Sequence, residues 1–147
     1  MKTQTIVASF IAWWMLANVA YSQGMCIPSA LKVRLLQGRV LWKNDLRPMA
    51  GMDVELLSFD QSMTRLTRAK TDGSGAFSIA RVEPGKYWLR VKNTQIPGLT
   101  VEIHLEGKAT PRGAKQDYIQ FLLSLDPQKY CWGSSVSIVR EDHGSPK

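Results

Sequence analysis

Between residues 31 and 140 the apolar residues recur mostly every second position, in runs of five to nine residues bounded by Gly, Pro, Asn and Asp. A spacing of two is the period of an extended strand, whose successive side chains point to opposite faces, and no window here sustains the 3.6 period of a helix. The runs predict strands at Leu31–Trp42 with a bend at Gly38, then Met52–Ser58, Arg65–Thr71, Ala76–Ala80, Lys86–Lys92, Leu99–Leu105, Asp117–Leu125 and Val136–Arg140. Met52, Val54 and Leu56 share one side of their run and Asp53 and Glu55 the other; Tyr87, Leu89 and Val91 are likewise separated from Trp88 and Arg90. Strands with one core side and one wet side pair into two facing sheets, so the expected fold is all-β, a single antiparallel β-sandwich of seven to eight strands.

The first 22 residues read differently. Lys2 precedes an apolar run from Ile6 to Tyr21 that is short for a bilayer span, and Ala20 and Ser22 are the small residues of a signal-peptidase site. The expected organisation is a signal peptide over 1–22, a sandwich over 23–140 and a disordered tail over 141–147, in a secreted or periplasmic protein of bacterial type with no stable membrane span after cleavage. An uncleaved anchor, with Trp13, Trp14 and Tyr21 at an interface, is the alternative. Cys26 and Cys131, an even pair in an oxidising compartment, are expected to form a disulfide joining the two ends of the domain; they lack the CxxC spacing of a zinc or redox site.

The formal charge of +7 falls to +6 when Lys2 is removed. The basic residues are scattered through the sequence, which fits a solvated basic surface and, with the export signal, speaks against nucleic acid as partner. Catalysis is poorly provided for. The two histidines, His104 and His143, have no HxxE spacing, and no GxSxG frames a serine. No metal or other cofactor is expected: Asp72-Gly73-Ser74-Gly75 resembles a fragment of a calcium loop but lacks the later acidic ligands.

Four segments carry a resemblance. Gly38-Arg39-Val40, Pro48-Met49-Ala50-Gly51-Met52-Asp53-Val54, Thr71-Asp72-Gly73-Ser74-Gly75-Ala76-Phe77 and Pro84-Gly85-Lys86-Tyr87 together resemble the carboxypeptidase regulatory-like domain, over about Gly38 to Val91. The resemblance implies a transthyretin-like, prealbumin-type Greek-key sandwich related in shape to carbohydrate-binding folds. It specifies turns and core rather than chemistry, and it brings no peptidase activity, because the zinc ligands are missing. The residues of the third segment are expected to form a tight hairpin, and Pro84-Gly85 the centre of a type II turn.

The functional expectation is a non-catalytic binding or accessory module. Carbohydrate is the leading ligand class through the likeness of fold alone, with Trp88 as a stacking ring and Arg90 beside it on the wet side of their strand, and no second ring evident there. An envelope protein as partner is the alternative, favoured if the outer side of Trp88 is covered. Residues 108–115, with Pro111, Gly113 and three basic residues, read as a loop able to touch such a partner.

Overall fold

The computed structural model describes residues 29–96, 98–107, 116–124 and 134–141, the side chains of Gln116 and Glu141 excepted. The expected signal peptide, Cys26, Cys131, the loop 108–115 and the tail beyond Glu141 lie outside the described residues.

Every described element is a strand: β1 (Leu31–Val33), β2 (Leu36–Trp42), β3 (Asp53–Ser58), β4 (Arg65–Lys70), β5 (Ala76–Ile79), β6 (Gly85–Lys92), β7 (Leu99–Leu105), β8 (Gln116–Leu123) and β9 (Ser135–Glu141). They form two sheets, A in the order β1-β7-β6-β3-β4 and B in the order β5-β2-β8-β9. The sandwich expected from the alternation is present, and the strands lie close to where the apolar periodicity puts them.

Three details differ from expectation, each through tertiary contact. The run from Leu31 to Trp42 breaks at Arg34 and Leu35, so that β1 joins sheet A while β2 joins sheet B; Gly38, expected at the bend, lies in the middle of β2. Hence the described residues form nine strands where seven or eight were expected. Second, β1 runs parallel to β7 and β2 parallel to β8, so both sheets are mixed although the hairpins β3–β4, β6–β7 and β8–β9 are antiparallel. Alternation reveals strands but not their neighbours.

Third, the Asp-Gly-Ser-Gly segment does not close a hairpin, because β4 and β5 belong to different sheets. It is a crossover, held by Asp72 Oδ1, which accepts hydrogen bonds from Ser74 N (2.8 Å), Ser74 Oγ (2.7 Å) and Ala76 N (3.0 Å). Pro84-Gly85 likewise lies on a crossover between sheets, and Gly85 opens β6 without a positive φ; the left-handed residue is Arg81, with φ of 60°.

Inward residues of both sheets interlock between them: Val54, Leu56, Leu89, Val91, Val101 and Ile103 from sheet A, and Leu36, Val40, Phe77, Ile119, Phe121 and Leu123 from sheet B. Phe77 and Phe121 pack tilted with ring centroids 6.2 Å apart. Gly38 sits beneath them because nothing larger fits: a Cβ there would come within 2.1 Å of the Ile119 carbonyl oxygen and 2.8 Å of the Phe77 ring.

Gly38→Ala is therefore expected to destabilise the fold by about 1–3 kcal/mol or more, the cost of moving a central strand rather than a flexible side chain. Chemical denaturation monitored by intrinsic fluorescence measures it, and a loss under about 1 kcal/mol would show that β2 and β8 do not approach as described.

Candidate functional site

The outer face of sheet A gathers charges that are far apart in sequence. Its cross-strand register aligns four rows. Lys32, His104 and Lys86 lie in the first. Glu102, Trp88, Leu57 and Arg65 lie in the second. Thr100, Arg90, Glu55 and Arg68 form the third, and Lys92, Asp53 and Lys70 the fourth. Among the described residues this face thus carries seven Lys or Arg against three carboxylates. On the outer face of sheet B, Arg39 is the one charged residue among the described side chains, its guanidinium 5.6 Å from the Tyr118 ring; Gln37, Leu41, Gln120, Leu122, Ser137 and Val139 surround it.

Glu55 organises the basic face. It lies on the outer side of β3, where alternation placed it, but it is buried, its side chain 4% exposed. Arg90 donates to Oε2 from Nε at 2.9 Å and Nη2 at 2.6 Å. Lys92 Nζ lies 3.2 Å and Arg65 Nη1 3.5 Å from Oε1. Three strands, β4, β3 and β6, are thereby joined through one carboxylate on the side of the sheet that has no apolar core. Burial works to raise the Glu55 pKa, but the hydrogen bonds and charges of Arg90 and Lys92 outweigh it and hold the carboxyl below its ordinary value.

Trp88, two residues before Arg90, is half-buried. Phe59 stacks on it, ring centroids 5.1 Å apart and planes inclined by 30°, and Lys86 Nζ lies 5.6 Å from the Phe59 ring. Leu57, fully buried yet outside the central core cluster, is Trp88's cross-strand neighbour on this face. The two residues singled out in the sequence are therefore brought to one face as expected, with Trp88 engaged by Phe59 and Arg90 by Glu55. Phe59 is the second ring that alternation did not reveal, because it follows the end of β3, where strand parity stops. His104 shares this face with Glu102, to which its Nε2 is bonded.

The hairpin that carries Phe59 is rigidly built. Asp60 Oδ1 accepts from Ser58 Oγ (2.9 Å), Ser62 N (2.9 Å) and Met63 N (3.0 Å), and Met63 adopts a left-handed φ of 45°. Phe59, Met63 and Leu66, three of the five exposed large apolar residues among the described residues, belong to this hairpin. Among the described residues no group of His, Cys, Asp and Glu is placed to hold a metal ion.

Glu55→Gln is expected to cost about 1–3 kcal/mol at pH 7, since it leaves the cations with a neutral partner. Because the folded-state pKa is depressed, the stabilisation by the carboxylate is full above its ordinary value of 4.5 and lost as the pH falls through the folded value. Parent and variant should therefore converge in denaturant midpoint on acidification below 4.5. A gap that stays constant into acid would refute an ionised Glu55.

No curated protein sequence matches the chain at a significant level. Among solved structures, the Klebsiella pneumoniae 5-hydroxyisourate hydrolase shares 15% identity and a TM-score of 0.46 over 75% of this chain and all of that one. Transthyretin from Sparus aurata shares 13% identity and a TM-score of 0.48 over 74% of this chain and 99% of its own, and sea bream transthyretin in complex with thyroxine 14% and 0.49 over 75% and 98%. At these identities no residue role is transferred. The family model for the BOS complex subunit NOMO1-like, second beta sandwich domain, matches residues 35–110, a stretch that contains the four segments read as carboxypeptidase regulatory-like; that other name is not the one the match supports. Since the match spans more than half of the 147 residues, the chain belongs to the family of the second beta sandwich domain of NOMO1-like BOS complex subunits.

Proposed function

We propose that the chain is an exported, non-catalytic docking module that holds a protein partner against the outer face of sheet A. The observation that carries this reading is the charge of that face, seven cations against three carboxylates, set against an outer face of sheet B with a single described charge. A flat face with a surplus of one sign suits an oppositely charged protein surface, because complementary fields guide encounter and fix register. The engagement of Trp88 by Phe59 favours the same reading, since the ring nominated for sugar stacking is already in contact with another ring. The family description supports it too: a subunit of a complex has neighbours to hold.

Carbohydrate binding is the second reading, and one observation favours it. Phe59 adds a ring beside Trp88, so that an aromatic pair stands next to Lys86 and Arg65. An acidic glycan would find stacking and charge together there.

One experiment separates the two. A photo-crosslinking amino acid at the position of Lys86, in the native host, is expected to capture one protein, and capture should fall when Arg68 and Lys70 are changed to Glu; the same group at Ser78, exposed on sheet B, should capture none. Equal capture from both positions, or none from either, overturns the docking reading. Saturable binding on a glycan array that Trp88→Ala abolishes while the domain stays folded would establish the second reading instead.

A further inference from the structure

Among the described residues β4 forms an open edge of sheet A, six residues long. Thr71, just beyond it, directs both backbone groups at the inner neighbour: its N–H donates to Met52 O (3.0 Å) and its carbonyl accepts from Gly51 N (2.9 Å). Alternation along an extended chain then turns the N–H and C=O of Arg68 and Lys70 outward, away from β3. Four main-chain groups in two alternate residues are what a further strand needs in order to pair.

The side chains at this edge specify what would pair. Arg68 and Lys70 are exposed on the outer face, in the rows of Glu55 and Asp53. Lys70 Nζ is 3.5 Å from Asp53 Oδ1, while Arg68 has no carboxylate partner among the described residues. On the inward side of the same strand stand Thr67 and Ala69, half-buried, with Ala69 packed against the core. An added strand would therefore meet a cation at every second residue on one face and a small, partly apolar margin on the other. Leu66, the extra residue of the β-bulge opposite Leu56 and Leu57, is exposed at the end of this edge.

We infer that the β4 edge takes up an extended acidic segment of the partner, with Glu or Asp alternating with small apolar residues, as a sixth strand of sheet A. The inference rests on the docking reading above and assigns it a mode of contact. Basic edge residues also discourage unwanted pairing between sheets. They do so against neutral and basic strands, and they favour an acidic one.

The test uses the full chain and a fluorescent peptide of about eight residues alternating Glu and Val, read by anisotropy. Binding is expected to be at least about tenfold tighter than for a peptide of the same sequence and charge with every backbone nitrogen methylated, which cannot supply the main-chain donors. Arg68→Glu together with Lys70→Glu should lose the acidic peptide and gain a peptide alternating Lys and Val, an exchange that misfolding cannot mimic. Equal binding of the N-methylated peptide would mean charge without strand addition and would overturn the inference, as would a chain that occupies this edge with its own second copy and releases it in the double variant. Capture of a protein at position 86 alongside failure of every peptide would leave docking standing and remove the β4 mode.

Discussion

The close approach of β2 to β8 is the constraint on which the sandwich depends. With no side chain at Gly38, the Ile119 carbonyl and the Phe77 ring occupy space that a Cβ would claim. That permits Phe77 and Phe121 to pack against each other across β2 and fill the middle of the core. The neighbouring crossover obeys the same limit: Gly75, with φ of 73°, accepts a hydrogen bond from Val40 N at 2.8 Å, and a Cβ there would fall 2.5 Å from the Val40 carbonyl oxygen. Two glycines distant in sequence thus allow β5 and β2 to approach, and Gly38 also allows β8 to lie close on the other side of β2.

The outer side of sheet A is organised by charge beside a small apolar group of Leu57, Trp88 and Phe59. A buried carboxylate costs desolvation unless its oxygens are satisfied, and Glu55 is satisfied by cations from the strands on either side. The consequence is a basic surface whose middle is rigid: Arg90 and Lys92 are turned toward Glu55, while Lys32, Arg68 and Lys86 remain exposed. Stability and surface character come from the same residues.

Much of this fold was legible in the sequence because it depends on short-range periodicity. Strand positions and the inward set of β7, Leu99, Val101 and Ile103, follow from alternation alone. What escaped it depends on partners. Arg34 and Leu35 bear no turn signal, yet there the chain leaves one sheet for the other. Glu55 reads as an ordinary wet-side residue, since nothing near it in the chain announces cations 35 residues away. Trp88 and Arg90 could be placed on a common face from their spacing, but Phe59 comes from beyond the end of its strand. The seven cations look scattered along the chain and are collected by register, which no local pattern encodes.

The switch of sheets between β1 and β2 also bears on mechanics. β1 pairs with β7 in parallel through Leu31, Lys32 and Val33, and the chain then continues directly into the middle of sheet B. A pull transmitted through residue 29 along the strand axis would strain those three pairs together, in shear, instead of opening them one after another from an end. Tension would thus enter the outer strand of one sheet and be passed on to a central strand of the other, making β1 and the Arg34–Leu35 link a tether between the two layers.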